Sequence, residues 1–117
     1  MASKNYFLNG VAELLILSIL EKQDTYIYDI KKKISESSND TLPMSQNTIY
    51  AAAYKLENEG KITEYSLLVG KKRTRVYYHI EEEGLEYLDK LMNDYKMVTT
   101  NVNKILSSLD NEGEGHE

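Results

Sequence analysis

The chain has 117 residues, 28% of them charged, with one proline, no cysteine and a formal net charge of −5. That is the size of one domain with one modest core, and the missing cysteine excludes disulfides and thiol catalysis. The longest apolar run, residues 14–20, is interrupted by Ser18 and too short for a bilayer, and no secretory pattern opens the chain, so the expected location is the cytoplasm.

Residues 8–20 predict a first helix with a broad apolar face that includes Val11, Leu14, Leu15 and Ile19. A polar break, 21–24, and Thr25 as a candidate N-cap lead to a second helix over residues 26–37. In it Ile27, Ile30 and Ile34 recur on one face, and Lys31, Lys32 and Lys33 point in different directions as a mostly solvated surface. Residues 37–43, ending in Pro43, form a loop.

Residues 45–60 carry start and stop signals for a third helix. The Ser45 hydroxyl can accept an unpaired N–H of the first turn, and Gly60 supplies a left-handed end. At about 100° per residue, Ile49, Ala52, Ala53 and Leu56 form an inner stripe, whereas Asn47, Tyr50, Ala51 and Tyr54 form the opposite face. Such a face suits an ordinary surface helix. It also suits a recognition helix, because Asn pairs with adenine and a short Ala lets the backbone approach a thymine methyl in the major groove.

Residues 61–80 alternate as two strands around a basic turn and predict a β-hairpin. Val76, Tyr78 and Ile80 fall on one side, and Arg75, Tyr77 and His79 on the other. Lys71, Lys72, Arg73 and Arg75 lie at or beside the tip, where they either discourage edge pairing or contact DNA phosphates. The charge is unevenly distributed. Residues 1–44 carry −1, residues 45–80 carry +3 and residues 81–117 carry −7. A basic centre bounded by acid is compatible with nucleic-acid binding, since phosphates respond to potential within about a Debye length, roughly 8–10 Å.

A long fourth helix is predicted over residues 82–109, its N-terminus favoured by Glu81, Glu82 and Glu83. Leu85, Leu88, Met92, Tyr95, Thr99, Val102, Leu106 and Leu109 step by three and four residues as a heptad seam, widened by Leu91, Val98 and Ile105. At about 40 Å such a helix exceeds what a small domain covers, and a second copy of the chain is its natural partner. Thr99-Thr100 is a candidate bend, and residues 111–117 are expected to be a disordered acidic tail.

Helix, helix, capped helix and basic hairpin is the order of a winged helix-turn-helix. The expected fold is therefore mainly α with a small β-hairpin, a winged domain over residues 1–80 and a dimerisation helix over residues 81–110. Several stretches resemble the PadR family of transcriptional regulators, in its small form with one C-terminal helix. They are the leucine-rich first helix, Tyr26-Ile27-Tyr28-Asp29-Ile30, Thr48-Ile49-Tyr50 with Leu56-Glu57 and Gly60, and Arg75-Val76-Tyr77-Tyr78-His79-Ile80 followed by Gly84. Ile27 and Asn47 stand where the family usually has glycine, Ala51 where proline is frequent and Glu81 where threonine often caps.

The resemblance implies a homodimeric repressor on a palindromic operator, in some relatives released by small aromatic or hydrophobic compounds. Candidate DNA contacts are Ser45, Asn47, Thr48, Tyr50, Ala51, Tyr54 and Lys55 on the helix, with Lys71, Lys72, Arg73 and Arg75 on the wing. Candidate interface residues are Leu85, Leu88, Met92, Tyr95, Val98, Val102, Ile105, Leu106 and Leu109, of which Met92, Tyr95 and Val98 are candidates for an effector space. Two isolated histidines, His79 and His116, and no glycine-rich phosphate loop or metal-ligand cluster speak against an enzyme, a cofactor or a metal. The competing function is a winged module for protein interaction without DNA binding.

Overall fold

A computed structural model describes residues 6–114. Its elements are α1 (Tyr6–Lys22), α2 (Ile27–Ser37), α3 (Gln46–Asn58), β1 (Ile62–Val69), β2 (Arg73–Ile80) and α4 (Glu82–Glu114). The molecule measures 72 × 33 × 25 Å, because α4 continues well past the core. His116 lies outside the described residues.

The core is where the three short helices meet the root of the hairpin. Ile16, Leu17, Leu20, Ile30, Ile49, Leu56 and Ile62 are all fully buried. On α1 the deepest side chains are Ala12, Ile16, Leu17 and Leu20; of the expected face only Leu14 is buried, and Val11, Leu15 and Ile19 are half-buried. When nearly every position of a helix is apolar, periodicity cannot single out the deepest stripe.

The start of α2 differs from expectation. Its N-cap is Tyr26, with no side-chain bond to the helix. Buried Thr25 does not cap; its hydroxyl donates to Asp29 Oδ2 at 2.6 Å, while its carbonyl accepts the Tyr78 N–H at 2.8 Å. Thr25 thus adds a one-residue third strand to the hairpin.

The third helix ends as its signals predict. Ser45 Oγ accepts the Thr48 N–H at 3.1 Å. At the other end Gly60 has φ +74°, the Gly60 N–H donates to Glu57 O at 3.0 Å, and the Lys61 N–H donates to Leu56 O at 2.9 Å. This bond pair is the Schellman motif, which requires the left-handed residue.

Strands β1 and β2 pair antiparallel from Ile62 opposite Ile80 to Val69 opposite Arg73. Glu81 then turns the chain into α4. Its N–H donates to Lys61 O at 3.0 Å, its carbonyl accepts the Leu85 N–H, and its carboxylate accepts the Thr63 hydroxyl at 2.6 Å. Gly84 is buried against this junction, where an added Cβ would lie 2.2 Å from Lys61 O.

Helix α4 is uninterrupted through Thr99-Thr100, the Thr99 hydroxyl donating to Tyr95 O at 2.8 Å. It runs to Glu114, so residues 111–114, expected to be part of a disordered tail, continue the helix; residues 115–117 lie outside the described residues. Extending a formed helix by one residue adds a bond for each residue fixed, and no proline stops it.

Candidate nucleic-acid interface

Helix α3 buries Ile49, Ala52, Ala53 and Leu56 and leaves Asn47, Tyr50, Ala51 and Tyr54 exposed, with Tyr54 at 68%. Asn58, beyond the candidate contacts named from the sequence, extends the same exposed face one turn beyond Tyr54. Ser45 and Thr48 are occupied with the cap; their hydroxyls are 3.0 Å apart. Lys55 departs from the group. It lies on the flank of α3, and its ammonium donates to Glu13 Oε2 on α1 at 2.9 Å.

The wing has a fastened root and an open tip. Gly70, with φ +76°, Lys71 and Lys72 make the turn, and Lys71, Lys72 and Arg73 are exposed. Beyond the root, Leu67, Leu68 and Val76 are exposed as well. Arg75 is engaged differently, its guanidinium lying 4.1 Å from the centre of the Tyr26 ring, a cation–π arrangement that leaves the edge donors of the guanidinium free.

The root is held by side chains that the sequence does not bring together. Tyr65 stacks on its cross-strand neighbour Tyr77 at 5.7 Å, and Tyr26 meets Tyr77 edge-on at 5.4 Å. Asp24, in the loop before α2, accepts the Tyr65 hydroxyl at 2.7 Å and lies 2.8 Å from His79 Nδ1. Burial alone would raise the Asp24 pKa, but the bonds to His79 and Tyr65 and the His79 charge outweigh it and hold the carboxyl below its usual range. The bond to Asp24 holds the His79 pKa above its usual value. The alternation of Arg75, Tyr77 and His79 is legible in the sequence, whereas their partners Asp24 and Tyr26 stand some fifty residues away.

A second polar cluster lies inside the domain. Glu13, 7% exposed, accepts the Tyr87 hydroxyl of α4 at 2.6 Å on Oε1 and the Lys55 ammonium on Oε2. The bond to Glu13, then burial, push the Tyr87 pKa up to about 12, and the same carboxylate raises that of Lys55.

The seam of α4 divides. Leu88, expected at an interface, is 5% exposed in the chain's own core, and Leu91 and Met92 pack half-buried beside it. The helix has only begun to leave the domain at Leu88, so its inner face there is already covered. Leu85, Tyr95, Val98, Val102, Ile105, Leu106 and Leu109 are exposed, as is Met97, which lies outside the heptad spacing. Within one chain Met92 is half-buried, whereas Tyr95 and Val98 are exposed. A cavity of about 390 Å³ lies between α1 and α2, lined by Leu15, Ile19, Ile34 and Leu42 among others. Among the described residues no acidic or histidine cluster could hold a metal, and no helix is long and apolar enough to cross a membrane.

Comparison with known proteins gives this geometry a context. A transcriptional regulator from Clostridium thermocellum has 28% identity, a TM-score of 0.78, and a match covering 88% of this chain and 97% of that one. A PadR-like transcriptional regulator from Bacillus cereus has 29% identity, a TM-score of 0.73, and coverage of 87% and 97%. PadR of Bacillus subtilis, whose structure was solved in complex with operator DNA, has 27% identity and a TM-score of 0.65 over 70% of this chain and 46% of that one. These are winged-helix proteins with a long C-terminal helix, the architecture described above. The profile of the Transcriptional regulator PadR-like family matches residues 16–90, and with more than half of its length matched, the chain belongs to that family of transcriptional regulators.

Proposed function

We propose that this regulator acts as a homodimer that binds operator DNA sequence-specifically and represses transcription. The observation that carries the reading is the capped helix α3, which keeps an exposed face of Asn47, Tyr50, Ala51 and Tyr54 and is followed directly by a hairpin with Lys71, Lys72 and Arg73 open at its tip. The operator complex of the Bacillus subtilis relative supports it.

In this reading each subunit lays α3 in a major groove, the two sites lying about one DNA turn, roughly 34 Å, apart. Asn47 has the donor and acceptor to read adenine, Ala51 permits close approach, and the Tyr50 and Tyr54 hydroxyls hold phosphates or base edges. Lys71, Lys72 and Arg73 hold the backbone, and Arg75, stacked on Tyr26, contributes its edge donors.

Exposed apolar residues from Tyr95 to Leu109 support a dimer through α4, since a single chain leaves them in water. A small hydrophobic or aromatic effector held between Met92, Tyr95 and Val98 of the two copies would release the DNA.

The test is the salt dependence of binding to duplexes selected from the source genome. The expected log K falls linearly with log salt, by about 0.9 per phosphate neutralised. Lys72→Ala or Arg73→Ala should weaken all sequences similarly and flatten that slope. Salt-independent behaviour, or no selected duplex, would favour the protein-interaction module instead.

A further inference from the structure

Glu13 stands buried between Ala12 and Leu14, at the head of the apolar run of α1, where a carboxylate is tolerated only if its charge and lone pairs are matched. They are matched from two elements far apart in the chain. Lys55 comes from the last turn of α3, and Tyr87 from the second turn of α4. The Tyr87 ring is also held by Lys61 at the start of the hairpin, whose ammonium lies 5.0 Å from the ring centre.

The two helices that the carboxylate joins have different tasks. Helix α3 carries the exposed polar face, and α4 carries the exposed apolar seam. Both pack on α1, and each places one hydrogen-bond donor on a separate oxygen of the same side chain. Leu88, next to Tyr87, is anchored in the core, while from Tyr95 onward the apolar residues of α4 are uncovered. A roll of α4 about its own axis swings the Tyr87 hydroxyl even where the backbone is anchored, and so bears on the Glu13 carboxylate that accepts from it. A hydrogen bond of 2.6 Å between a hydroxyl and a carboxylate is short and directional, and hence sensitive to such movement.

We infer that Glu13 is a positioning residue that ties the setting of α3 to that of α4, so that a shift of α4 reaches the recognition helix through Tyr87, Glu13 and Lys55. This rests on the DNA-binding reading above. In this role the Lys55 ammonium belongs to Glu13 and neutralises no phosphate.

The test uses the full chain and duplexes selected from a random pool by the unaltered protein. Affinity is measured by fluorescence anisotropy over a range of KCl concentrations. Tyr87→Phe and Lys55→Met should each weaken binding by about three- to tenfold, and the double variant should be no weaker than the weaker single, as for residues acting through one network. The salt slope should stay unchanged in all three and sedimentation should equal that of the unaltered protein; melting should fall in each, because the buried carboxylate loses a partner, and affinity is read well below the midpoint. Glu13→Gln, which keeps an acceptor for Tyr87 but removes the charge facing Lys55, should match Lys55→Met; if it does not fold, the other pair decides. Unchanged affinity in both single variants, losses that multiply in the double variant, or a shallower salt slope for Lys55→Met would each overturn the inference. Failure of the unaltered protein to select any duplex would instead overturn the DNA-binding reading itself.

Discussion

Replacing Gly84 by alanine sets two physical effects against each other, and the geometry decides the sign. In the interior of a helix alanine is favoured over glycine by about 1 kcal/mol. At this position, however, the new Cβ would lie 2.2 Å from Lys61 O and 2.8 Å from Ile80 Cγ1. The first obstacle is backbone, and that same carbonyl accepts the Glu81 N–H where the chain turns into α4. Relief requires α4 to move away from the hairpin root by roughly 1 Å, the kind of overpacking that costs about 1–3 kcal/mol, and weakening the Glu81 bond adds about 1 kcal/mol. Net destabilisation of about 1–3 kcal/mol follows, or on the order of 5–15 °C in melting temperature for a domain of this size. Thermal and urea melts at one fixed protein concentration are the assay, because any association makes the midpoint concentration-dependent. A melting temperature equal to or above that of the unaltered protein would refute the close approach of α4 to Lys61.

Three further outcomes are expected. Ser45→Ala removes the acceptor for the Thr48 N–H and should cost about 1 kcal/mol in urea unfolding, whereas Ser45→Asp should retain most of the stability. Leu106→Asp places a charge on the exposed seam of α4; analytical ultracentrifugation should find monomers, and an unchanged dimer would remove Leu106 from the interface. The Asp24–His79 pair predicts a pH window. With its pKa raised, His79 contributes stability fully below its unfolded value of about 6.5 and loses it as pH rises through the raised folded value. Asp24, with its pKa lowered, contributes above its usual value and loses stability as pH falls through the lowered one. The stability difference between the unaltered protein and His79→Gln should therefore be largest at mildly acidic pH and fade above neutrality. Both side chains are partly exposed, which limits the effect to about 1 kcal/mol or less. A difference that grows with pH would contradict the pairing.

The elements were legible because local rules coincide in them. Ser45, Gly60 and the stripe of Ile49, Ala52, Ala53 and Leu56 each point to the same helix, and all of them behave so in the structure. The hairpin alternation is legible for the same reason, with Tyr78 and Ile80 inward and Arg75 and His79 outward. What stayed hidden depends on contacts between distant residues. Nothing near Glu13 announces that its partners are Lys55 and Tyr87, so an acid in an apolar helix passes unnoticed and Lys55 reads as one more DNA-facing cation. Leu88 fits the heptad as well as Leu106 does; only the packing of α1 against the first turns of α4 separates a core leucine from an exposed one. Thr25 has the chemistry of a cap but is drawn into pairing with Tyr78, a competition that local sequence cannot decide.

The contrast between the root and the tip of the wing has a mechanical consequence. Near Ile62 and Ile80 the ribbon is clamped by Thr25, Asp24, Tyr26 and the start of α4, and Arg75 still rests on Tyr26, but from the Leu68–Thr74 pair to the tip it is two bare strands with Leu68 uncovered. An unsupported two-stranded ribbon is soft, while α3 is locked at both ends and packed along its length. The protein therefore meets a partner with one stiff surface and one compliant arm. In the proposed DNA complex the stiff helix would tolerate little change in the shape it touches, whereas the arm would flex to keep its lysines seated on backbones of differing curvature.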